Sequence, residues 1–484
     1  MRRSRTQLPL YENVEILDVG SDGKSVARVG ELVIFIPFAI PGDKVDVQVV
    51  KRKRSYCEGK VIKHHSYSEK HSDPFCSHFG VCGGCRWQNL RYEEQLFYKQ
   101  KQVAESLKRI GKFQDAIVLP ILASAYQQEY RNKLEYTFSN RRWFTQPLKP
   151  GENSTEERNA LGFHIPNLFD RVLDVQHCHL QAEPSNAIRL WVREYALNHQ
   201  LTFYDVHRWD GFLRNLIIRN TTRGEWMVIM VFHEDHPEII QNLMTAMGSA
   251  FPAITSLFYV INPKKNDVIN DLQPVLFKGL PYITEKLPAY NKHGADLLFR
   301  IGPVSFFQTN SFQAVNLYRK VAEFADFKGC ETVYDLYTGT GTIANYIAPL
   351  VAKVIGIESV PAAIEDAKIN SSLNGINNNL FFAGEAEKIL GPDFIRQNGL
   401  PDVLITDPPR AGMHEKVIRA MLDMPMEKIV YVSCNPATQA RDLALLSEKY
   451  DLIKSQPVDM FPHTQHVENI SLLIRKSSEN LIET

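Results

Sequence analysis

The feature that most limits the fold is an alternation of strand-like and helix-like segments beyond residue 301. "ETVYDLYTGTGTIANYIAPL" reads as strand, glycine turn and helix. "AKVIGIES" is a second strand, and "PAAIEDAKINSSLNG" is a helix opened by proline and closed by glycine. "NLFFAG", "DVLITDPPR", "KIVYVSCNP" and "ISLLIRK" are further short apolar runs with the character of buried strands. Strands that alternate with helices build a parallel, doubly wound sheet, and such sheets bind ligands beyond the carboxyl ends of their strands. Residues 301–484 are therefore expected to form a Rossmann-like α/β domain.

The chain upstream has a different texture. Residues 1–66 contain five Val- and Ile-rich runs, from "NVEILDVG" to "CEGKVIKHH", separated by Gly, Asp and Pro turns. Five such strands fit a small closed barrel of the OB type, a platform for oligonucleotides. The whole chain is neutral, with 55 Lys+Arg and 55 Asp+Glu. Its first 65 residues nevertheless carry 12 Lys/Arg against 8 Asp/Glu, concentrated in "KRKR" at Lys51–Arg54. A charge run alone is usually a solvated face; on an oligonucleotide platform it favours RNA. Residues 67–300 are expected to form a central α+β domain. Within it, residues 90–111 read as an amphipathic helix that packs on the catalytic domain, and 147–160 as a polar loop. No apolar run is long enough to span a membrane, and no signal-peptide segment follows "MRRSR". Seven unevenly spaced cysteines suggest metal or catalytic work in a cytoplasmic protein. No obligate protein partner is indicated.

"DLYTGTGTIA" sets Asp335, Tyr337, Gly339 and Gly341 where a strand enters a helix, and glycines there let a ligand approach the backbone. The spacing departs from the dinucleotide fingerprint, so a pyrophosphate is not required. Glu358 closes the next strand and can accept hydrogen bonds from both ribose hydroxyls. With the later "DPPR", the set reads as a pocket for S-adenosylmethionine; another nucleotide is the alternative. Asp407 and Cys434 each follow a strand of the same sheet, and Glu468 stands just before the last strand. A thiol and a carboxylate would then meet beside a methyl donor. That combination suits C5 of uracil, a poor nucleophile that becomes an enolate carbon once a thiolate has added to C6. A base must then remove the C5 proton. Taken singly, a strand-end cysteine is usually a small core residue and a lone glutamate a solvated acid. Convergence on one crevice is what favours the chemistry. His463 and His466 read as loop supports.

Three more cysteines, Cys76, Cys82 and Cys85 of "CSHFGVCGGC", offer three thiolates from one loop. A fourth ligand could be Cys57, Cys178 or Cys330, and the spacing leaves an iron–sulfur cluster or tetrahedral zinc open. Arg131 and Lys133 of "YRNK" are candidate phosphate contacts, and Phe306 and Phe307 candidate stacking residues.

"DLYTGTGTIA", "DPPR", "SCNP" and "HTQHVE", with "FFQTN" and the three-cysteine loop, resemble the RumA/TrmA family of RNA uracil-5-methyltransferases. The motifs stand in the family's order over nearly the whole chain, and the barrel is similar to TRAM domains. The resemblance implies Cys434 as nucleophile and Glu468 as base. It implies Gln308, Tyr337, Glu358 and Asp407, with Gly339 and Gly341, as the S-adenosylmethionine site, Asp407 also touching the target uracil. It implies Cys178 as fourth ligand of a structural [4Fe–4S] cluster held with Cys76, Cys82 and Cys85. The barrel and cysteine loop resemble the ribosomal branch, so 23S ribosomal RNA is the first expected substrate and tRNA the second. Two other classes stand beside this reading. An amino-group methyltransferase could use "DPPR" without any thiol. A non-catalytic RNA-binding protein would have no use for the strand-end pocket.

Overall fold

The computed structural model describes residues 8–145, 158–291 and 294–477. "MRRSR" and residues 147–157 of the expected polar loop lie outside them. The amino-terminal strands are β1 (Leu10–Val19), β2 (Ser25–Val29), β3 (Leu32–Ile36), β4 (Lys44–Arg52) and β5 (Tyr56–Ser66). They close into a barrel in the order β1-β2-β3-β5-β4. Alternation does the work: Val45, Val47 and Val49 of β4 are all buried inside. Register shifts along β4–β5 and β1–β4 bend the long strands so that the small barrel can close.

The helix α1 (Tyr92–Arg109) follows. The central sheet comprises β6 (Lys133–Ser139), β7 (Ala160–His164), β8 (Val172–Asp174), β9 (Leu213–Asn220), β10 (Trp226–Phe232), β11 (Ile254–Ile261) and β12 (Val275–Gly279). Their order is β12-β11-β10-β9-β6-β7-β8. Helix α2 (Ser185–Asn198) precedes β9, and α3 (Pro237–Ala250) makes the crossover between the parallel pair β10 and β11. β10, "WMVIMVF", is buried along its whole length because both faces are covered. Val228, Met230 and Phe232 pack with Leu243 and Met247 of α3. Met227, Ile229 and Val231 face the other way and share one core with Val333, Ile405 and Val430 of the carboxyl-terminal sheet. A hairpin, β13 (Ile283–Leu287) and β14 (Leu297–Ile301), joins the two. The boundary read at residue 300 falls inside β14, and apolar packing continues across it.

The carboxyl-terminal sheet has α4 (Ser311–Ala325) before it. It contains β15 (Thr332–Leu336), β16 (Lys353–Glu358), β17 (Asn379–Ala383), β18 (Val403–Thr406), β19 (Lys428–Ser433), β20 (Tyr450–Val458) and β21 (Glu468–Arg475). Helices α5 (Thr342–Ile347), α6 (Pro361–Leu373), α7 (Ala386–Ile389), α8 (Pro392–Asn398), α9 (Glu415–Asp423) and α10 (Pro436–Leu446) connect them. The strand order is β17-β16-β15-β18-β19-β21-β20. The five strands from β17 to β19 are parallel; β21 is antiparallel to both of its neighbours.

The strand β20 escaped the periodicity reading. Its "SQP" stretch is polar, yet Ser455 and Gln456 are buried because their side chains are partnered. Ser455 pairs with Ser471 at 2.8 Å, and Gln456 donates to the Pro120 carbonyl at 2.6 Å. Residues 117–122 run along this edge, Leu119 donating to Ser455 and Leu122 to Pro457. They cover backbone that an edge strand would otherwise expose. Helix α1 packs on the catalytic domain as its sequence implied. Val103 and Leu107 join Ala440, Leu443 and Leu446 of α10 in one core.

A buried ion pair pins α1 in place. Lys99 Nζ donates to Asp459 Oδ1 at 2.6 Å and to the Phe461 carbonyl at 2.9 Å, with both charged side chains fully buried. Removing one partner strands the other charge in a dry site. Lys99→Met is expected to lower unfolding free energy by about 3–5 kcal/mol, read as a fall in the urea midpoint at unchanged slope.

Candidate active site

Strand order sets the geometry of the site. The carboxyl ends of β16, β15, β18 and β19 lie side by side, and neighbouring strands are about 4.8 Å apart. Glu358 ends β16; Tyr337, Asp407 and Cys434 each follow the last residue of their strand. Because β21 is antiparallel, its first residue, Glu468, lies on this same edge. Ser433 is paired with Asn469, so one further step in that register sets Cys434 opposite Glu468. Five candidate side chains therefore form one row along the carboxyl edge of the sheet.

The glycine turn is built for close approach. Tyr337, Gly339 and Gly341 all have left-handed backbone, φ +62°, +56° and +74°. A Cβ on Gly341 would meet Ala367 Cβ at 2.9 Å, whereas one on Gly339 would point into open space. Gly341 is thus held by helix packing, and Gly339 leaves room on the ligand side. Asp335 is buried beneath the turn and accepts from Thr338 Oγ1 at 2.5 Å, so it organises the loop. Glu358 accepts from Gly339 N at 3.2 Å, from Val360 N at 3.0 Å and from Ser359 Oγ at 3.0 Å. These donors fix its carboxylate at the turn. The "FFQTN" segment lies against the turn: Thr340 Oγ1 donates to the Phe306 carbonyl at 3.2 Å. Asn132 Nδ2 of β6's leading loop holds the Gln308 carbonyl at 2.8 Å. Gln308 is buried there.

The nucleophile loop is equally fixed. Asn435 caps α10, accepting from Ala437 N at 3.1 Å, and its Nδ2 donates to the Arg410 carbonyl at 3.1 Å. Gln439 donates to the Tyr431 and Asn469 carbonyls, joining β19 to β21 beside the thiol. Cys434 is half-buried. Burial pushes its thiol up to about 11, with the Glu468 and Asp407 carboxyls adding to the rise and Arg410 opposing it. Burial, and then Asp407, also raises Glu468 well above the usual carboxylate range, while Arg410 opposes. Asp407 is raised by burial and by Asp335. Arg410 of "DPPR" was assigned no role from sequence. It is the cation that offsets the negative charge of this crevice, and only tertiary placement reveals it.

The structure corrects two sequence expectations. Phe306 is 68% exposed and free to stack, but Phe307 is 3% exposed, buried in the core. Its neighbours Phe299 and α4 claim it because consecutive residues face opposite ways. Arg131 is not a freely solvated phosphate contact: its guanidinium lies 5.5 Å from the Phe461 ring centre, and it lines the cysteine cavity. Lys133 opens β6 and is half-buried, and burial lowers its ammonium, with Arg219 adding to the effect.

Cys76, Cys82, Cys85 and Cys178 line a single cavity of about 120 Å³, together with His78, His177 and His179. Burial raises Cys82 and Cys85 to about 12, neighbouring thiols adding to the effect, and raises Cys178 as well. Cys57 lies in the barrel core and Cys330 is exposed, so neither reaches this cavity. Among the described residues no three or more His, Cys, Asp or Glu side chains are grouped as a metal-ion site.

The sheet order and turn define a methyltransferase of Rossmann-like fold. The sequence matches the family model described as tRNA (Uracil-5-)-methyltransferase over residues 220–476, and the TRAM domain over residues 11–62. The chain belongs to this RNA uracil-5-methyltransferase family and carries a TRAM domain. Similar proteins named as uncharacterized RNA methyltransferases occur in Bacteroides thetaiotaomicron and Porphyromonas gingivalis. Both are 52% identical; the matches cover 94% and 96% of this chain, and 99% and 100% of the relatives. The Pyrococcus abyssi tRNA (uracil-54, C5)-methyltransferase, solved with S-adenosyl-L-homocysteine, is 28% identical. It superposes with a TM-score of 0.72, covering 95% of this chain and 99% of that one. No helix among the described residues is long and apolar enough to cross a membrane.

The raised thiol has a measurable consequence. Its thiolate fraction is small at pH 7 and grows as pH rises toward 11, so alkylation of Cys434 by iodoacetamide should accelerate over that range. Arg410→Met should move the rise to still higher pH, as read by peptide mass spectrometry.

Proposed function

We propose that this protein transfers a methyl group from S-adenosylmethionine to C5 of a uridine in RNA. The observation that carries the reading is the cross-strand placement of Cys434 opposite Glu468, next to the Asp407 and Gly339–Gly341 turns. Glu358 would receive the ribose hydroxyls, and Gln308, Tyr337 and Asp407 would flank the rest of the donor, which supplies an electrophilic methyl. The Cys434 thiolate adds to C6 of the uracil, and the displaced electron pair makes C5 nucleophilic. After C5 has gained the methyl group, Glu468 takes the C5 proton; the electrons of that bond reform C5=C6 and expel the thiolate. A carboxylate destabilised by burial is a stronger base once ionised, which suits Glu468 to this step. Phe306 is available to stack on the extruded base.

Large-subunit ribosomal RNA, 23S in a bacterium, is the proposed substrate, on the strength of the TRAM barrel joined to a three-cysteine loop that shares a cavity with Cys178. Transfer RNA is the second reading, favoured by the likeness to the Pyrococcus abyssi tRNA enzyme. Cys76, Cys82, Cys85 and Cys178, which line one cavity, would hold a [4Fe–4S] cluster, with zinc as the alternative for the same thiolates. Such a group would brace the loop and has no part in the methyl transfer steps. The cytoplasm is the proposed location.

RNA containing 5-fluorouridine should be trapped covalently on Cys434, because fluorine cannot leave as a proton, and Cys434→Ala should neither trap nor methylate. Full methylation by Cys434→Ala would overturn the covalent route in favour of amino-group chemistry. Mapping 5-methyluridine in total RNA from cells with and without the gene decides between ribosomal RNA and tRNA. For the cysteine cavity, Cys178→Ser should lose most of its bound iron by elemental analysis; unchanged iron would rule the cluster assignment out.

A further inference from the structure

The general base reaches its place through a loop that the catalytic sheet does not hold by itself. Residues 459–467 connect β20 to β21 and end directly at Glu468. The polar backbone of this loop is satisfied largely from outside the sheet. Arg86 N and Trp87 N both donate to the His463 carbonyl, at 2.8 and 3.1 Å. His463 N donates to Gln95 Oε1 at 2.8 Å. Tyr130 Oη donates to the Pro462 carbonyl at 3.0 Å, and Lys99 holds the Phe461 carbonyl. Asn310 Nδ2, two residues beyond Gln308, takes the Met460 carbonyl at 3.1 Å. Phe75 packs edge-on against the His463 ring at 5.0 Å. His463 itself has left-handed backbone, φ +66°, a conformation costly for a histidine unless its surroundings impose it.

Gln95 joins these contacts into one clamp. It is buried on α1, and while Oε1 accepts from His463, Nε2 donates to the Trp87 carbonyl at 2.9 Å and the Leu90 carbonyl at 2.8 Å. One amide therefore ties the loop before Glu468 to residues 87–90, immediately after Cys85. We infer that Gln95 is a positioning residue for the base, fixing the Glu468 loop against the cysteine-bearing segment. The inference rests on the proposed covalent mechanism. Among the described residues, no hydrogen bond joins the clamp residues to the Cys434 loop, which is held by Asn435, Gln439 and the Arg410 carbonyl. Addition and alkylation should therefore survive a loosened clamp, while removal of the C5 proton should slow.

That separation gives a test in the full-length protein. Gln95→Met keeps the bulk and removes every hydrogen bond of that side chain; Tyr130→Phe removes one hydrogen bond to the loop and leaves the packing. Both variants should still be trapped by 5-fluorouridine RNA. With ordinary uridine RNA and S-adenosylmethionine, both should accumulate a denaturation-resistant protein–RNA adduct that the wild type does not. For Gln95→Met, kcat should fall roughly tenfold or more, since a displacement of about 1 Å is enough for such a loss, while KM for S-adenosylmethionine stays unchanged. If Gln95→Met fails to fold, Tyr130→Phe carries the decision. Slower turnover without adduct, or a parallel loss of donor binding, would overturn the positioning role. A wild-type protein that 5-fluorouridine RNA cannot trap would instead sink the covalent mechanism, and the role with it.

Discussion

The antiparallel run of β21 is the constraint on which the site depends. Parallel strands bring only their carboxyl ends to the ligand edge, and an acid at the start of a parallel strand would face away. Reversing one strand delivers Glu468, the first residue of β21, to that edge. Pairing with β19 then brings it opposite Cys434 without any long or mobile connection. The reversal also leaves β20 at the sheet margin, where residues 117–122 cover it. The helix α1 and the cysteine loop follow from the same arrangement, because they are what the β20–β21 connection leans on.

Concentrating acids at one strand edge has an electrostatic consequence. Burial raises Asp335, Asp407 and Glu468, with Glu358 adding to the rise of Asp335, Asp335 to that of Asp407, and Asp407 to that of Glu468. Burial and neighbouring acids thus shift these carboxyls and the Cys434 thiol toward their neutral forms. Arg410 offsets part of the effect, and a bound sulfonium would offset more by the same Coulombic rule.

Much of this was legible in the sequence. The βα alternation, the five barrel strands, the helix α1 and the strand-end motifs all rest on local signals: period, glycine and proline punctuation, and short spacing. The failures share one cause. β20 is polar in sequence because its side chains are satisfied by Pro120 and Ser471, which are remote along the chain. Phe307 and Arg131 were read as RNA contacts because their types suit RNA, whereas packing turns one into the core and the other toward the cysteines. Gln95 gave no signal at all, since a glutamine on an amphipathic helix reads as a solvated residue until its three partners are seen.

By itself the sequence determined which chemistry is available: a strand-end thiol, a glycine turn, an acid before the last strand and three thiolates in one loop. Each of these is local, because a strand's end and a turn's glycines are set by neighbouring residues. Tertiary structure decided which of these groups meet. It set Cys434 against Glu468 through a strand reversal, placed Cys178 beside Cys76, Cys82 and Cys85, brought Arg410 near the thiol, and tied Gln95 to the loop before Glu468. Those meetings depend on strand order and on contacts hundreds of residues apart, and no local pattern encodes distance in space.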